Sequence, residues 1–268
     1  MISKRKAVIE LSTILQLDHV TKKFSGLTAV NDLSLKVEEH SIHSLIGPNG
    51  SGKTTTINLI SGVIKPTDGT ILYNNEQITD LPTFKIVQKG IGRTYQNIKL
   101  FSSMSAIDNV KIGGHKETKL GILRSIFDIR ASIQEEKMLT ERAEEILNFI
   151  GMYNVKDELV KNLPYGRQKI LELGRALMAN PNFILLDEPA AGLNPSERAE
   201  LVAALVKIFD KGITLFLIEH NMDVVMNISN QITVLNFGAK IAEGTPKEIQ
   251  NNEQVIKAYL GEKYKIAN

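Results

Sequence analysis

The sequence predicts an α/β fold in which a core sheet is flanked by helices, and three observations carry that prediction. Apolar runs of strand length fall at 42–46, 183–186, 213–218 and 232–235, and three of them are near-continuous in apolar character, as strands covered on both faces are. Between them lie helical patterns: Ala143, Ile146, Leu147 and Ile150 share one face, stopped by Gly151 as a C-terminal cap. Ile170, Leu173, Gly174 and Leu177 share another, ended by Asn180 and Pro181. Strand and helix therefore alternate, which is the pattern of a sheet with helices on its faces. The stretch 103–163 lacks strand candidates, so a mostly helical subdomain, about 103–180, is expected as an insertion.

Composition narrows the function classes. At 268 residues the chain has room for one large domain or two modest ones and for a substantial core. Apolar residues at 43% and charged residues at 23% exclude a disordered chain. A net charge of +2 gives no reason to expect nucleic acid. With no cysteine, disulfides, thiolate metal sites and cysteine nucleophiles drop out together, and a reducing cytoplasm fits. No run of roughly 18 apolar residues occurs, and the first residues lack a signal-peptide core. Contact with a bilayer is therefore expected only through partners.

Directly after the run 42–46 comes Gly47-Pro48-Asn49-Gly50-Ser51-Gly52-Lys53-Thr54, followed by a helical pattern through Ser61. This satisfies the phosphate-binding loop at every defined position and in its strand-to-helix context. Glycines let backbone N–H groups turn toward phosphate oxygens, and the helix N-terminus favours negative charge. Lys53 is expected to reach the β and γ phosphates, and Thr54 to supply a hydroxyl to Mg²⁺. The run 183–186 ends in Asp187 and Glu188, at the strand end where parallel sheets place ligands. Asp187 is expected to hold Mg²⁺, and Glu188 to orient or deprotonate an attacking water.

Three further segments in the same order make the chain resemble the ABC ATPase family. Gln96, in Arg93-Thr94-Tyr95-Gln96-Asn97, is similar to the glutamine of the family's Q-loop. The resemblance implies that it touches Mg²⁺ and water and senses a membrane partner. His220, in Ile218-Glu219-His220-Asn221, resembles the switch histidine, which contacts the γ-phosphate. Leu163-Pro164-Tyr165-Gly166-Arg167-Gln168 resembles the signature segment, which in the family binds the ATP held by the opposite subunit. It departs from the usual pattern at Pro164, where serine is common. Proline lacks hydroxyl and amide donors but is accommodated in a first helical turn, which leaves the Tyr165 and Gly166 amides to bind phosphate. Asn194 stands where an aspartate is more common.

Carried over residue by residue, the resemblance assigns ATP contacts to Phe24, Asn49, Gly50, Ser51, Gly52, Lys53, Thr54, Thr55, Tyr165, Gly166 and Gln168, with Phe24 stacking on the base. It assigns Mg²⁺ to Thr54, Gln96 and Asp187, and catalysis to Glu188, His220 and Gln96. A core phenylalanine is the plain alternative for Phe24. The implied fold is a P-loop ATPase core with an antiparallel β region and a helical signature subdomain. The expected boundaries are an N-terminal extension over 1–14, the ATPase domain over 15–262 and a tail over 263–268.

Within the family, Pro189-Ala190-Ala191-Gly192-Leu193-Asn194-Pro195 and Ala258-Tyr259-Leu260-Gly261-Glu262 are similar to the ATPase subunits of branched-chain amino acid importers. That resemblance implies a second ATPase subunit, either an identical copy or a paralogue. It also implies integral membrane permeases, an extracytoplasmic solute-binding protein acting indirectly, and a peripheral place on the cytoplasmic face of the membrane. A permease helix is expected in a groove beside Gln96 lined by Leu100, Phe101, Met104, Leu120, Ile122, Leu123, Ile126 and Phe127. The alternatives are a soluble ABC ATPase without a transport role, a lipopolysaccharide-type export ATPase, and a P-loop kinase or GTPase.

Overall fold

β3 (Ile42–Ile46), β7 (Phe183–Asp187) and β8 (Thr214–Ile218) are buried along their whole length, so apolar residues are needed on both of their faces. Period-two alternation then divides each strand between two cores. Phe183, Leu185, Phe216 and Ile218 face one cluster, and Ile184, Leu186, Leu215 and Leu217 face the other. The computed structural model describes residues 12–116 and 129–266. In it these strands join β6 (Ile91–Arg93), β9 (Gln231–Asn236) and β10 (Ala239–Gly244) in the order β10-β9-β3-β8-β7-β6. All neighbours are parallel except β10 against β9.

A second, antiparallel sheet has the order β2-β1-β4-β5, from β1 (Thr13–Phe24), β2 (Leu27–Glu38), β4 (Asp68–Tyr73) and β5 (Glu76–Gln77). Its inner residues, among them Leu15, Val20, Leu35 and Ile71, pack with Ile57 and Ile60 of α1 (Lys53–Ile60) against one face of the parallel sheet. α2 (Thr83–Gln88) adds Ile86 to that layer.

The opposite face is covered by α3 (Ala106–Ile112), α4 (Ile129–Phe149), α5 (Tyr165–Met178), α6 (Pro195–Asp210) and α7 (Met222–Ile228). The last two helices are α8 (Pro246–Gln250) and α9 (Glu253–Ile266). α5 passes so close to the end of α4 that a Cβ on Gly174 would stand 2.7 Å from Ile150 Cδ1. The expected stop at Gly151 has the left-handed φ of 74° that such a cap uses. Between β6 and β7 the described elements are helical.

Some boundaries differ from expectation. β1 begins at Thr13, inside the expected N-terminal extension, because Thr13 already pairs with Glu38. α9 runs to Ile266, into the expected tail. Pro164 is the N-cap of α5 rather than a residue of its first turn, with φ −53° and ψ 150°. Of the residues expected to form a permease groove, Leu120, Ile122, Leu123, Ile126 and Phe127 lie outside the described residues. Leu100 packs partly into the helical core, whereas Phe101 is 51% exposed. No helix among the described residues is long and apolar enough to cross a membrane.

Candidate active site

The loop after β3 turns on glycines for steric reasons. Gly52 has φ 104°, and a Cβ there would lie 2.5 Å from the carbonyl oxygen of Ala29 on β2. Gly47 has φ 154°, and a Cβ would lie 2.1 Å from the carbonyl oxygen of Leu235 on β9. The loop is therefore clamped between both sheets, and α1 starts directly behind it. Lys53 is buried, and its ammonium donates to the carbonyls of Gly47 at 2.8 Å and Pro48 at 2.9 Å, which pins it across the loop.

A cleft of about 460 Å³ opens over this loop, lined by Asn49 through Thr55, by Phe24, Leu27, Thr28, Ala29 and Phe237, and by Glu188 and His220. Phe24 is 45% exposed at the end of β1, so it is not the core residue of the plain alternative. The Lys22 ammonium covers one face of its ring at 5.0 Å, and a base would find the other face.

At the end of β7 the chain turns sharply. Glu188 adopts φ 48°, a left-handed conformation unusual for a non-glycine residue, while its N–H still donates to Ile218 O of β8 at 2.9 Å. This aims its side chain at the cleft. Gln96 Nε2 donates to Glu188 Oε2 at 2.8 Å, and His220 Nε2 lies 2.8 Å from Glu188 Oε1. Gln96 and His220, from two other strand ends, thus meet at the Glu188 carboxylate.

Asp187 is buried, and its Oδ2 accepts from Arg93 Nη2 at 3.4 Å. Its Oδ1 is buried without a hydrogen-bond partner. Burial pushes its pKa up, against the pull of the Arg93 guanidinium. A bare carboxylate oxygen, tied through Arg93 to the helix that follows the phosphate loop, is a fitting ligand for Mg²⁺. No cluster of three or more His, Asp or Glu side chains suited to a metal occurs among the described residues. Thr54, Gln96 and Asp187 are the residues that would hold the ion together with the phosphates, since Mg²⁺ needs few protein carboxylates.

None of Tyr165, Gly166 and Gln168 lines this cleft. The Gly166 amide donates to Glu197 Oε1 at 3.3 Å, and Gln168 Nε2 donates to Leu163 O at 2.9 Å. Glu197 also closes the capping box of α6 with Asn194, so one carboxylate joins the signature helix to the Asn194 loop.

Several supporting residues escaped sequence reasoning. Arg93 ties Asp187 to Asn58 Oδ1 of α1 at 2.8 Å and to Ser61 Oγ at the end of that helix at 2.6 Å. Glu219 accepts from the Ala190 amide at 2.6 Å and the His220 amide at 3.0 Å, bracing the two catalytic loops. Lys169, Glu172 and Arg175 lie along one face of α5. Lys169 donates to Gln96 O at 2.7 Å, Glu172 accepts from the Lys99 amide at 3.4 Å, and Arg175 donates to Lys99 O. Burial lowers the Lys169 pKa and raises that of Glu172. Their helical spacing of three is visible in sequence, but the carbonyls they serve are not.

Comparison with known proteins agrees with this geometry. A family model described as ABC transporter matches residues 30–191, and one described as branched-chain amino acid ATP-binding cassette transporter matches 239–265. The chain is 43% identical to the high-affinity branched-chain amino acid transport ATP-binding protein BraF of Pseudomonas aeruginosa, over 93% of this chain and 98% of that protein. It is 31% identical to the lipopolysaccharide export system ATP-binding protein LptB of Haemophilus influenzae, over 95% of this chain and 100% of that protein. An ATP-binding cassette from an ABC transporter, solved without nucleotide, superposes with a TM-score of 0.82 at 32% identity, covering 92% of this chain and 99% of the other. With the phosphate loop, the paired carboxylates and these matches together, the chain belongs to the ABC transporter family, as one of its ATP-binding, ATP-hydrolysing subunits.

Proposed function

We propose that this subunit drives import of branched-chain or related amino acids, hydrolysing ATP between two ATPase subunits on the cytoplasmic face of a membrane. The observation that carries the catalytic reading is the convergence of Gln96 and His220 on the two oxygens of Glu188 at the mouth of the phosphate-loop cleft. The transport reading is supported by identity to BraF, which exceeds that to LptB, 43% against 31%. The match over 239–265 supports it as well.

In this proposal the backbone amides from Asn49 to Thr55 cradle the phosphates, Lys53 balances their charge, and Phe24 stacks on the base. Thr54 and Asp187, with Gln96 nearby, would hold Mg²⁺, which when bound would supply positive charge to the phosphates. Glu188 accepts the proton of a water that attacks the γ-phosphorus in line. The bond from the γ-phosphorus to the β–γ bridging oxygen breaks, and ADP and phosphate leave. His220 and Gln96 hold the Glu188 carboxylate in place beforehand, and the γ-phosphate draws His220 toward itself.

Because Tyr165 and Gly166 do not line their own chain's cleft, they are free to serve a second subunit's ATP. The Gly166 amide then exchanges the Glu197 carboxylate for a γ-phosphate, so ATP holds two subunits together and hydrolysis releases them. The Lys169, Glu172 and Arg175 row links that event to the Gln96 loop, which faces the permeases. The ATPase domain takes in β1 from Thr13 and the last helix to Ile266, with about 103–180 as its helical insertion.

The deciding experiment is purification of the chain with its native membrane partners, followed by ATPase measurement in the presence of a solute-binding protein loaded with candidate solutes. Stimulation by leucine, isoleucine or valine is the expected result. Stimulation confined to unrelated solutes, or to lipopolysaccharide, refutes the import proposal and leaves the ATPase assignment intact.

A further inference from the structure

Phe237 is the most exposed large apolar side chain among the described residues, at 80%. It sits in a turn that suits it badly. Asn236 pairs with Ala239 across β9 and β10, leaving the two-residue loop Phe237-Gly238, and both residues have positive φ, 47° and 83°. That is the φ pattern of a type I′ hairpin, which strongly prefers Asn-Gly and which a bulky residue adopts only under strain. Neither the fold nor the turn gains from a phenylalanine here.

The backbone of the turn is nevertheless held in place. The Gly238 amide donates to Ser51 O of the phosphate loop at 3.0 Å, and the Gly238 carbonyl accepts from the Asn31 amide at 2.8 Å. The turn is thus bolted to the loop that cradles phosphate and to β2. Phe237, Leu27 at 67% exposure and Phe24 at 45% line the same cleft as Lys53. The cleft is lined both by phosphate donors and by apolar side chains that include two aromatic rings, a combination suited to a flat π-system carrying a polyphosphate.

We infer that Phe237 is a second aromatic wall of the base site, gripping the nucleobase together with Phe24. The inference rests on the reading that the cleft takes ATP through its phosphate loop. Because any base presents a π face, the second ring adds affinity without selecting adenine over guanine.

The test is calorimetric titration of the full chain with Mg-ATP, Mg-GTP and Mg-tripolyphosphate, comparing wild type with Phe237→Asn and Phe237→Tyr. Asparagine suits the turn, so Phe237→Asn is expected to melt no lower than wild type. Its affinity for ATP and GTP is expected to fall about tenfold, the scale of one base–aromatic stack, while tripolyphosphate affinity is unchanged and Phe237→Tyr restores ATP binding. Unchanged ATP affinity in Phe237→Asn overturns the inference, as does an equal loss for ATP and tripolyphosphate, which would mean the turn acts through the phosphate loop. If wild type binds neither ATP nor tripolyphosphate, the nucleotide-cleft reading itself falls.

Discussion

Replacing Glu188 by glutamine removes a proton acceptor while leaving shape and hydrogen bonding nearly intact. The Oε2 that accepts from Gln96 Nε2 at 2.8 Å can remain an amide oxygen. The other side becomes an NH₂ facing His220 Nε2, which lies 2.8 Å from Oε1 and can accept once the imidazole carries its proton on Nδ1. Neighbours therefore need not move, and the left-handed backbone at 188, braced by the bond to Ile218 O, is not relieved. What disappears is general-base assistance, worth about 10² to 10⁴-fold in rate, or about 3 to 5 kcal/mol of barrier. Steady-state phosphate release should fall by that factor, while ATP affinity by calorimetry stays within about threefold of wild type, since the phosphate loop is untouched. Turnover within about tenfold of wild type would show that Glu188 is not the base, whatever its hydrogen bonds.

Lys53→Ala removes a charged donor from the centre of the loop, and ATP affinity should drop about 10- to 100-fold, the range for a lost hydrogen bond to a charged group; undiminished affinity in a calorimetric titration rejects the phosphate cradle. Gly166→Ala would place a Cβ 2.8 Å from Glu197 Cγ and 2.9 Å from Glu197 Cβ. Urea unfolding should register a loss of about 1–3 kcal/mol from overpacking, and an unchanged midpoint with an unchanged slope counts against this packing. His43 on β3 is buried beside Thr233, and burial, aided by the Lys240 charge, holds its pKa down at about 4. A depressed imidazole pKa means the unfolded chain binds the extra proton more tightly, so stability is present above the unfolded value of about 6.5 and is lost as pH falls toward 4. Between pH 7 and pH 4 wild type should lose on the order of 3 kcal/mol more unfolding free energy than His43→Gln; equal losses would show that His43 takes up its proton inside the fold as readily as in the unfolded chain.

How far the sequence reaches depends on the kind of physics each residue obeys. The phosphate loop is legible because its chemistry is local: consecutive amides, a lysine and a helix start lie within eight residues, and strand β3 before them is apolar on both faces. Asp187 and Glu188 are legible for the same reason, as two carboxylates ending a buried strand. Gln96 and His220 needed family resemblance, since a lone glutamine or histidine carries no local signature. Boundaries were less legible at Thr13 and Ile266, where pairing and helix docking extend past the last recognisable pattern. Periodicity over a few residues does not separate Leu100, which packs partly into the helical core, from Phe101, which is 51% exposed.

By itself the sequence determined the fold class, the phosphate cradle, the paired carboxylates and the family, because each is written in runs of neighbouring residues. Only the tertiary structure decided what those residues touch. It brought Gln96, Glu188 and His220 together from three strand ends, tied Asp187 to α1 through Arg93, placed Glu197 on the Gly166 amide, and left Phe237 standing over the cleft. Such contacts join positions tens to more than a hundred residues apart. They follow from sheet order and helix packing, which are properties of the whole chain and not of any segment of it.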